Sequence, residues 1–424
     1  MYRQAIIIIN ILLIAASAFA GNSNGPTDYT FDECRGSANP YPAPESRMAL
    51  PDTLSVIMIN HLGRHGARYE TSPKRANKIR ATIIKAKKQN TLSAKGDSML
   101  NIVNRTLKLS KDNWGALDSL GMKEQQGIAA RIYRAWPALV KNSHIEAISS
   151  YIPRCIMSMY EFTHKLSSID DNVEMLTSSG KANSPLLRPF AIDSAYLDIR
   201  KDAPWAEALD SFYKKNIPLE PVWRLVGHET MNRDDARQFA ISLFGFLCGL
   251  NASGIDGDFL AEFYTIEEAN KMWECRNITQ YLERTTSVYS SIPSDITRAL
   301  LADFINTTDD FLSGRSKTSL NLRFGHAETV MPFLSLIQLP GCYYVSKDLD
   351  SVSRYWKNFY VTPMATNLQM IICVAPSGTP YIRLDLNEQP VCFPGTDKYY
   401  VSWKQARKYF NDILDSATFV PVGK

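Results

Sequence analysis

Nowhere in its 424 residues does this chain contain Cys-x-x-Cys or His-Glu-x-x-His, so the usual sequence signs of a zinc site are missing. Its net charge is only +4, and nothing global marks a nucleic-acid binder. Past the N-terminus no run is apolar for long enough to cross a bilayer, which takes about 20 residues. Internal repeats and low-complexity segments are absent. What remains is an ordinary globular composition, 45% hydrophobic and 21% charged. Cysteines are few and odd in number, seven, so at least one thiol is unpaired. Cys373 and Cys392 flank a hairpin-like stretch and are the expected bridge, although spacing alone does not set connectivity. No motif supports a catalytic cysteine.

The N-terminus reads as an address. Met1-Tyr2-Arg3-Gln4 is followed by an apolar stretch to about Ala16, interrupted by Asn10, and then by Ala18-Phe19-Ala20. A basic start, a short apolar centre and an A-x-A site form a secretory signal peptide cut after Ala20; an uncleaved anchor is the alternative. The first cysteine, Cys34, lies too far on for a lipoprotein. The expectation is an exported protein of about 404 residues with no stable membrane insertion, in a bacterial periplasm by preference. Sequons at Asn104, Asn251, Asn277 and Asn306 would carry glycans only in a eukaryotic secretory route.

Along the mature chain, strand and helix signals alternate. Leu54 to Asn60 reads as a buried strand, then a helix begins near Pro73. Residues 92–110 are amphipathic, and Leu117 to Arg134 is a helix entered through a turn at Gly121. Ile145 to Ser150 is a strand leading to a helix from about Cys155 to Leu166, and Val173 to Leu176 is a further strand. Helical periodicity dominates from about 186 to 312, then strand character returns at Ser319 to Phe324 before a helix from Ala327. Leu368 to Val374 and Tyr381 to Leu386 pair as an edge hairpin, and Trp403 to Asp415 closes the chain as a helix. The pattern predicts an α/β fold: a three-layer, doubly wound, mostly parallel sheet with an inserted, mainly helical subdomain. The expected units are a signal peptide at 1–20, a core of 21–185 with 313–424, and the insertion at 186–312.

The most informative residues are Arg64-His65-Gly66-Ala67-Arg68, which follow the first strand. A turn there sets its side chains at the carboxyl edge of a sheet, where open α/β folds bind ligands. Two guanidiniums grip phosphate oxygens bidentately, and a neutral imidazole between them is a nucleophile aimed at phosphorus. A basic loop with a structural histidine is the plain alternative. Gly325-His326-Ala327-Glu328 repeats the strand–turn–helix geometry, bringing a hydrogen-bond donor and an acid. Glu328 also suits a helix N-terminus without any chemistry. Arg154, just past another strand, is a third arginine, or simply a surface residue at a helix start. Between residues 68 and 88 eight basic side chains face one acid, Glu70: a solvated face, or a surface attracting a polyanion.

Together these residues resemble the histidine phosphatases, in the branch of histidine acid phosphatases and phytases, and are most similar to the multiple inositol-polyphosphate phosphatases. That family's R-H-G-x-R is matched by Arg64, His65, Gly66 and Arg68. Its third arginine is matched by Arg154 after Ser149-Ser150-Tyr151-Ile152-Pro153, with Phe162 downstream. The His-Ala-Glu version of its second motif is matched by His326-Ala327-Glu328, and its helix-entry signature by Leu117-Asp118-Ser119-Leu120-Gly121. The similarity spreads from about residue 54 to 390.

The resemblance implies phosphomonoester hydrolysis in two steps. His65 would attack to form a phosphohistidine, and Arg64, Arg68, Arg154 and His326 would hold the phosphoryl oxygens. Glu328 would protonate the leaving oxygen and then activate water, with a pKa raised by the phosphates around it. No metal or cofactor is needed, because guanidiniums supply the charge. An inositol hexakisphosphate or a lower inositol phosphate needs further cations, for which Lys74, Arg75 and Arg188 are the candidates. The family has Pro then Thr where this chain has Glu70 and Thr71, and Glu70 either tunes specificity or points away. Rival expectations are a broad acid or sugar phosphatase, a phosphoglycerate-mutase-like transferase, which export argues against, and a non-catalytic binder of phosphorylated ligands.

Overall fold

The computed structural model describes residues 29–141, 143–170 and 172–417. The expected signal peptide lies outside these residues. Among them, no helix is long and apolar enough to cross a membrane.

Eight strands form one mixed sheet: β1 (Ser55–Arg64), β2 (His144–Ser149), β3 (Glu174–Ser178), β4 (Thr318–Gly325), β5 (Asn367–Val374), β6 (Pro380–Leu386), β7 (Gln389–Val391) and β8 (Val401–Ser402). The spatial order is β3-β2-β4-β1-β5-β6-β7, with β8 also on β6. The first four strands in that order are parallel, and β5 to β8 continue the sheet antiparallel. β4, although later in sequence, inserts between β1 and β2. This reversal of strand order brings the carboxyl ends of β1, β4 and β2 side by side.

β1 is longer than its apolar run. His61, Gly63 and Arg64 are weak strand formers, yet β4 pairs with them on one side, and β5 pairs with His61 and Gly63 on the other. Arg64 is therefore the last residue of the strand, and the turn starts at His65. Side chains alternate across the sheet. Met58 and Leu62 enter the larger core, shared with Phe244, Trp273 and Phe304 of the helical segment. Ile59 faces the other way, toward Ile128, Phe162 and Phe324. Between β3 and β4 the described chain forms helices joined by loops and no strand.

Three local expectations change. The β5–β6 hairpin is not at the sheet edge, because β1 flanks β5 and β7 and β8 pair with β6. Gly121 lies inside the helix Ser119–Ala135, whose cap is Asp118: its side chain accepts from Gly121 N at 2.8 Å. Cys373 and Cys392 do not form a bridge; both are thiols. The cause is topological. Cys373 pairs across to Tyr381 of β6, whereas Cys392 follows β7 on the far side of β6. Two strand spacings make about 9–10 Å, beyond the roughly 7 Å a disulfide can span.

Candidate active site

The Arg64–Arg68 segment is pinned at every backbone N–H. Arg64 N donates to Thr366 O at 2.7 Å, His65 N to Gly325 O at 3.1 Å, and Arg68 N to Ala252 O at 2.7 Å. Gly66 N donates to Ser158 Oγ at 3.1 Å and Ala67 N to Glu124 Oε2 at 2.7 Å. Such complete pairing holds the turn rigid before any ligand arrives. It also needs space. A Cβ on Gly66 would stand 2.6 Å from Gly121 O, and one on Gly121 would stand 2.1 Å from Ala67 O.

His65 is 3% exposed, and its Nδ1 lies 2.9 Å from Gly66 O. A carbonyl only accepts, so Nδ1 carries the proton and Nε2 keeps its lone pair. Burial, with the charges of Arg64, Arg154 and Arg68, drives the imidazole pKa well below its usual value. A neutral imidazole with a bare Nε2 beside three guanidiniums is the electronic state a nucleophile needs.

The guanidiniums are held unequally. Arg64 is buried, and its Nη1 donates to Ser37 O at 2.6 Å and Thr362 O at 2.8 Å. Burial and the nearby Arg68 depress its pKa to about 9, leaving it charged at neutral pH. Arg68 donates from Nη1 to Tyr69 O at 2.8 Å, and its buried Nε has no hydrogen-bond partner among the described residues. Arg154 Nη2 lies 3.2 Å from His326 Nδ1, and its Nε is likewise unpartnered. Unmatched donors collected at one sheet edge make an anion site.

His326 is tied on both sides. Because a guanidinium only donates, Nδ1 is the acceptor; Nε2 then carries the proton and donates to Ser150 Oγ at 2.9 Å. Burial and Arg154 hold its pKa at about 3. To donate to a phosphate, the ring must release Arg154 and gain a proton at Nδ1.

Glu328, in the first turn of the helix Ala327–Leu336, is held in an ion pair. Its Oε1 is paired with Arg284 Nη2 at 2.9 Å. Burial pushes the carboxyl up, but Arg284, His326, its own backbone N–H and Arg64 outweigh it and hold the pKa at about 2. Paired in this way, the carboxyl is ionised at neutral pH.

The three outlying candidates divide. The Arg188 guanidinium lies 5.0 Å from the Tyr151 ring and 5.3 Å from Phe190, and Phe190 meets His326 edge-on at 5.5 Å. Its Nε has no partner, so Arg188 stands at the site with donors to spare. Arg75 is committed elsewhere: Nη1 donates to Gly245 O at 2.9 Å and pairs with Glu70 at 3.3 Å. That pairing also accounts for Glu70, whose charge is matched by Arg75. Lys74 is exposed in the first turn of the helix Lys74–Lys88 and has no ion-pair partner among the described residues. Nothing draws it into the site.

Sequence reasoning missed Arg284, Glu124 and Ser158. Arg284 ends the helix Ile266–Arg284, where a basic residue suits the helix dipole and draws no notice. Glu124 reads as a surface acid, yet it is 8% exposed and accepts from Ala67 N and Tyr41 N. Only its spacing of three from Gly121 hinted that it shares the face against the motif. A separate cavity of about 420 Å³, lined by Arg47, Leu54, Val56, Arg131 and Trp136, lies at the opposite end of β1 and contains none of these groups.

No protein-family profile matches the chain. It is 22% identical over 418 residues to multiple inositol polyphosphate phosphatase 1 of Homo sapiens, covering 90% of this chain and 83% of that one. The crystal structure of the Bifidobacterium longum multiple inositol polyphosphate phosphatase with inositol hexasulfate superposes with a TM-score of 0.76 at 19% identity, covering 88% of this chain and 97% of the other. The phytase from D. castellii superposes at 0.68 with 16% identity, covering 95% and 89%. These likenesses establish the mixed α/β fold.

Proposed function

From a chain similar to the multiple inositol polyphosphate phosphatases in sequence and in fold, we propose a phosphomonoesterase acting on inositol polyphosphates, phytate included, through a phosphohistidine. The observation that carries the reading is the neutral His65, its Nε2 bare, among Arg64, Arg68 and Arg154.

The phosphoryl oxygens bind the free guanidinium donors, which also stabilise charge in the transition state. Nε2 of His65 attacks phosphorus as the P–O ester bond breaks, and the departing alkoxide takes a proton from Glu328. Glu328, now ionised, removes a proton from water, whose oxygen attacks phosphorus and breaks the P–N bond. Phosphate leaves, His65 is restored as the neutral imidazole, and Glu328 gives the proton to solvent as it returns to its ion pair with Arg284. Arg188 serves a second phosphate of the ring, with Lys74 and Arg75 contributing long-range attraction at most. Export to a bacterial periplasm is part of the proposal and rests on the pattern of Met1 to Ala20 alone.

Phosphate release from phytate by the purified protein, beside His65→Ala and Glu328→Gln, tests this reading. Loss of release in the first variant and at least a hundredfold slowing in the second are expected. Cleavage of simple monoesters alone would favour a broad acid phosphatase; no release from any phosphoester would make the site a binding site.

A further inference from the structure

We propose that Arg284 is a positioning residue that keeps Glu328 from acting as an acid until a second phosphate of the substrate takes its guanidinium. The inference rests on the phosphomonoesterase reading above and deepens it, because it locates part of the preference for polyphosphates in the chemical step.

The geometry begins with one ion pair. Arg284 Nη2 stands 2.9 Å from Glu328 Oε1, with 17% and 33% of the two side chains exposed. The neighbouring carboxylate, Glu283, is turned to Arg200, so Glu328 is the ion-pair partner of Arg284 among the described residues. Arg64 bears on the same carboxylate and on Arg284, which brings the phosphate trap and the pair together. The other groups facing Glu328 are His326, which caps its helix, Arg68 after β1, Tyr196 of the helix Ser194–Lys201 and Cys155 of the helix Pro153–Ile169. Of these only the cations shift the carboxyl at neutral pH, and all of them favour its ionised form.

A general acid must hold a proton when the leaving oxygen needs it. A monoester seated on Arg64, Arg68 and Arg154 leaves the Arg284 pair intact, and Glu328 stays ionised. A polyphosphate seated there brings a neighbouring phosphate dianion to Arg284. The guanidinium, which grips phosphate bidentately, leaves the carboxylate, and the added negative charge raises the affinity of Glu328 for a proton. Glu328 takes that proton from water or from a phosphate hydroxyl of the substrate and passes it to the alkoxide as the P–O bond breaks. The substrate thereby arms its own acid.

The test uses the full protein and its Arg284→Gln and Arg284→Lys variants on phytate, inositol monophosphate and p-nitrophenyl phosphate across pH. The nitrophenolate leaves without a proton, so rates relative to it cancel any loss of folded protein. In Arg284→Gln the relative rate on inositol monophosphate should rise at least tenfold near pH 6. The alkaline limb of its kcat profile should move up by a pH unit or more. The relative kcat/KM on phytate should fall at least tenfold, and Arg284→Lys should recover most of the parent behaviour. If the glutamine variant lowers both relative rates in parallel with an unmoved pH profile, Arg284 is merely structural and the inference is wrong. If the parent releases phosphate from none of the three substrates, the phosphomonoesterase reading itself falls and takes this inference with it.

Discussion

Gly66 and Gly121 touch: a Cβ on the first would lie 2.6 Å from the carbonyl oxygen of the second. The Arg64–Arg68 turn is therefore seated on the first turn of the helix Ser119–Ala135, and Glu124 from the next turn bonds Ala67 N. Two segments separated by some fifty residues in sequence form one rigid unit, and the His65 ring inherits its position from that contact.

Gly121→Ala should accordingly displace the turn. Its Cβ would meet Ala67 O at 2.1 Å, a backbone atom that cannot rotate aside. Overpacking of this kind costs about 1–3 kcal/mol, and misplacing a nucleophile by about 1 Å costs roughly a hundredfold in rate. Thermal denaturation and kcat on phytate measure the two; an active, equally stable variant would refute the contact's importance.

Acid should destabilise the protein through its buried histidines. His61 is fully buried against Phe162 and Phe324 with neither ring nitrogen bonded, and burial, with Arg323 and Arg47, holds its pKa at about 3. The folded value lies below the unfolded value of about 6.5, so the unfolded chain binds more protons between the two. Stability is full above about pH 6.5 and declines as pH falls toward 3. His61→Leu should remove this dependence, gaining about 2 kcal/mol at pH 5 relative to its effect at pH 7. Urea unfolding at both pH values checks it, and an unchanged difference would count against it.

Charge removal at Glu70 should favour anionic substrate. Glu70 pairs with Arg75 and bears on Arg68. Glu70→Gln leaves the Arg75 charge unmatched and should lower KM for phytate about two- to fivefold, the worth of one partly exposed charge. The gain should shrink as salt is added. A KM that is insensitive to the substitution at low salt would show that Glu70 is electrostatically silent.

Covalent chemistry offers a further check. Cys373 and Cys392 should each be alkylated after denaturation without reductant, since β6 separates them. Expressed through a eukaryotic secretory route, the protein should carry no glycan at Asn277, which is fully buried with its amide donating to Trp356 O at 2.8 Å. Peptide mass spectrometry reads both, and a linked Cys373–Cys392 peptide or a glycan at Asn277 would contradict the packing described.

What the sequence by itself determined was local. The apolar runs before Arg64 and at 368–374 announced strands because a strand buried on both faces is mostly apolar, and Leu320, Leu322 and Phe324 announced another by their period of two. The clusters Arg64–Arg68 and His326–Glu328 stood out because a turn at a strand's carboxyl end has few reasons to collect charge. The tertiary structure alone decided what depends on neighbours distant in sequence. Insertion of β4 between β1 and β2 brought the three motifs together and lengthened β1 through residues of weak strand propensity. It also decided charge states. Arg284 and Glu328 are forty-four residues apart, and no periodicity links a helix end to a helix start. A carboxyl's proton affinity is set by burial and by the charges within a few ångströms, and those distances exist only once the chain has folded.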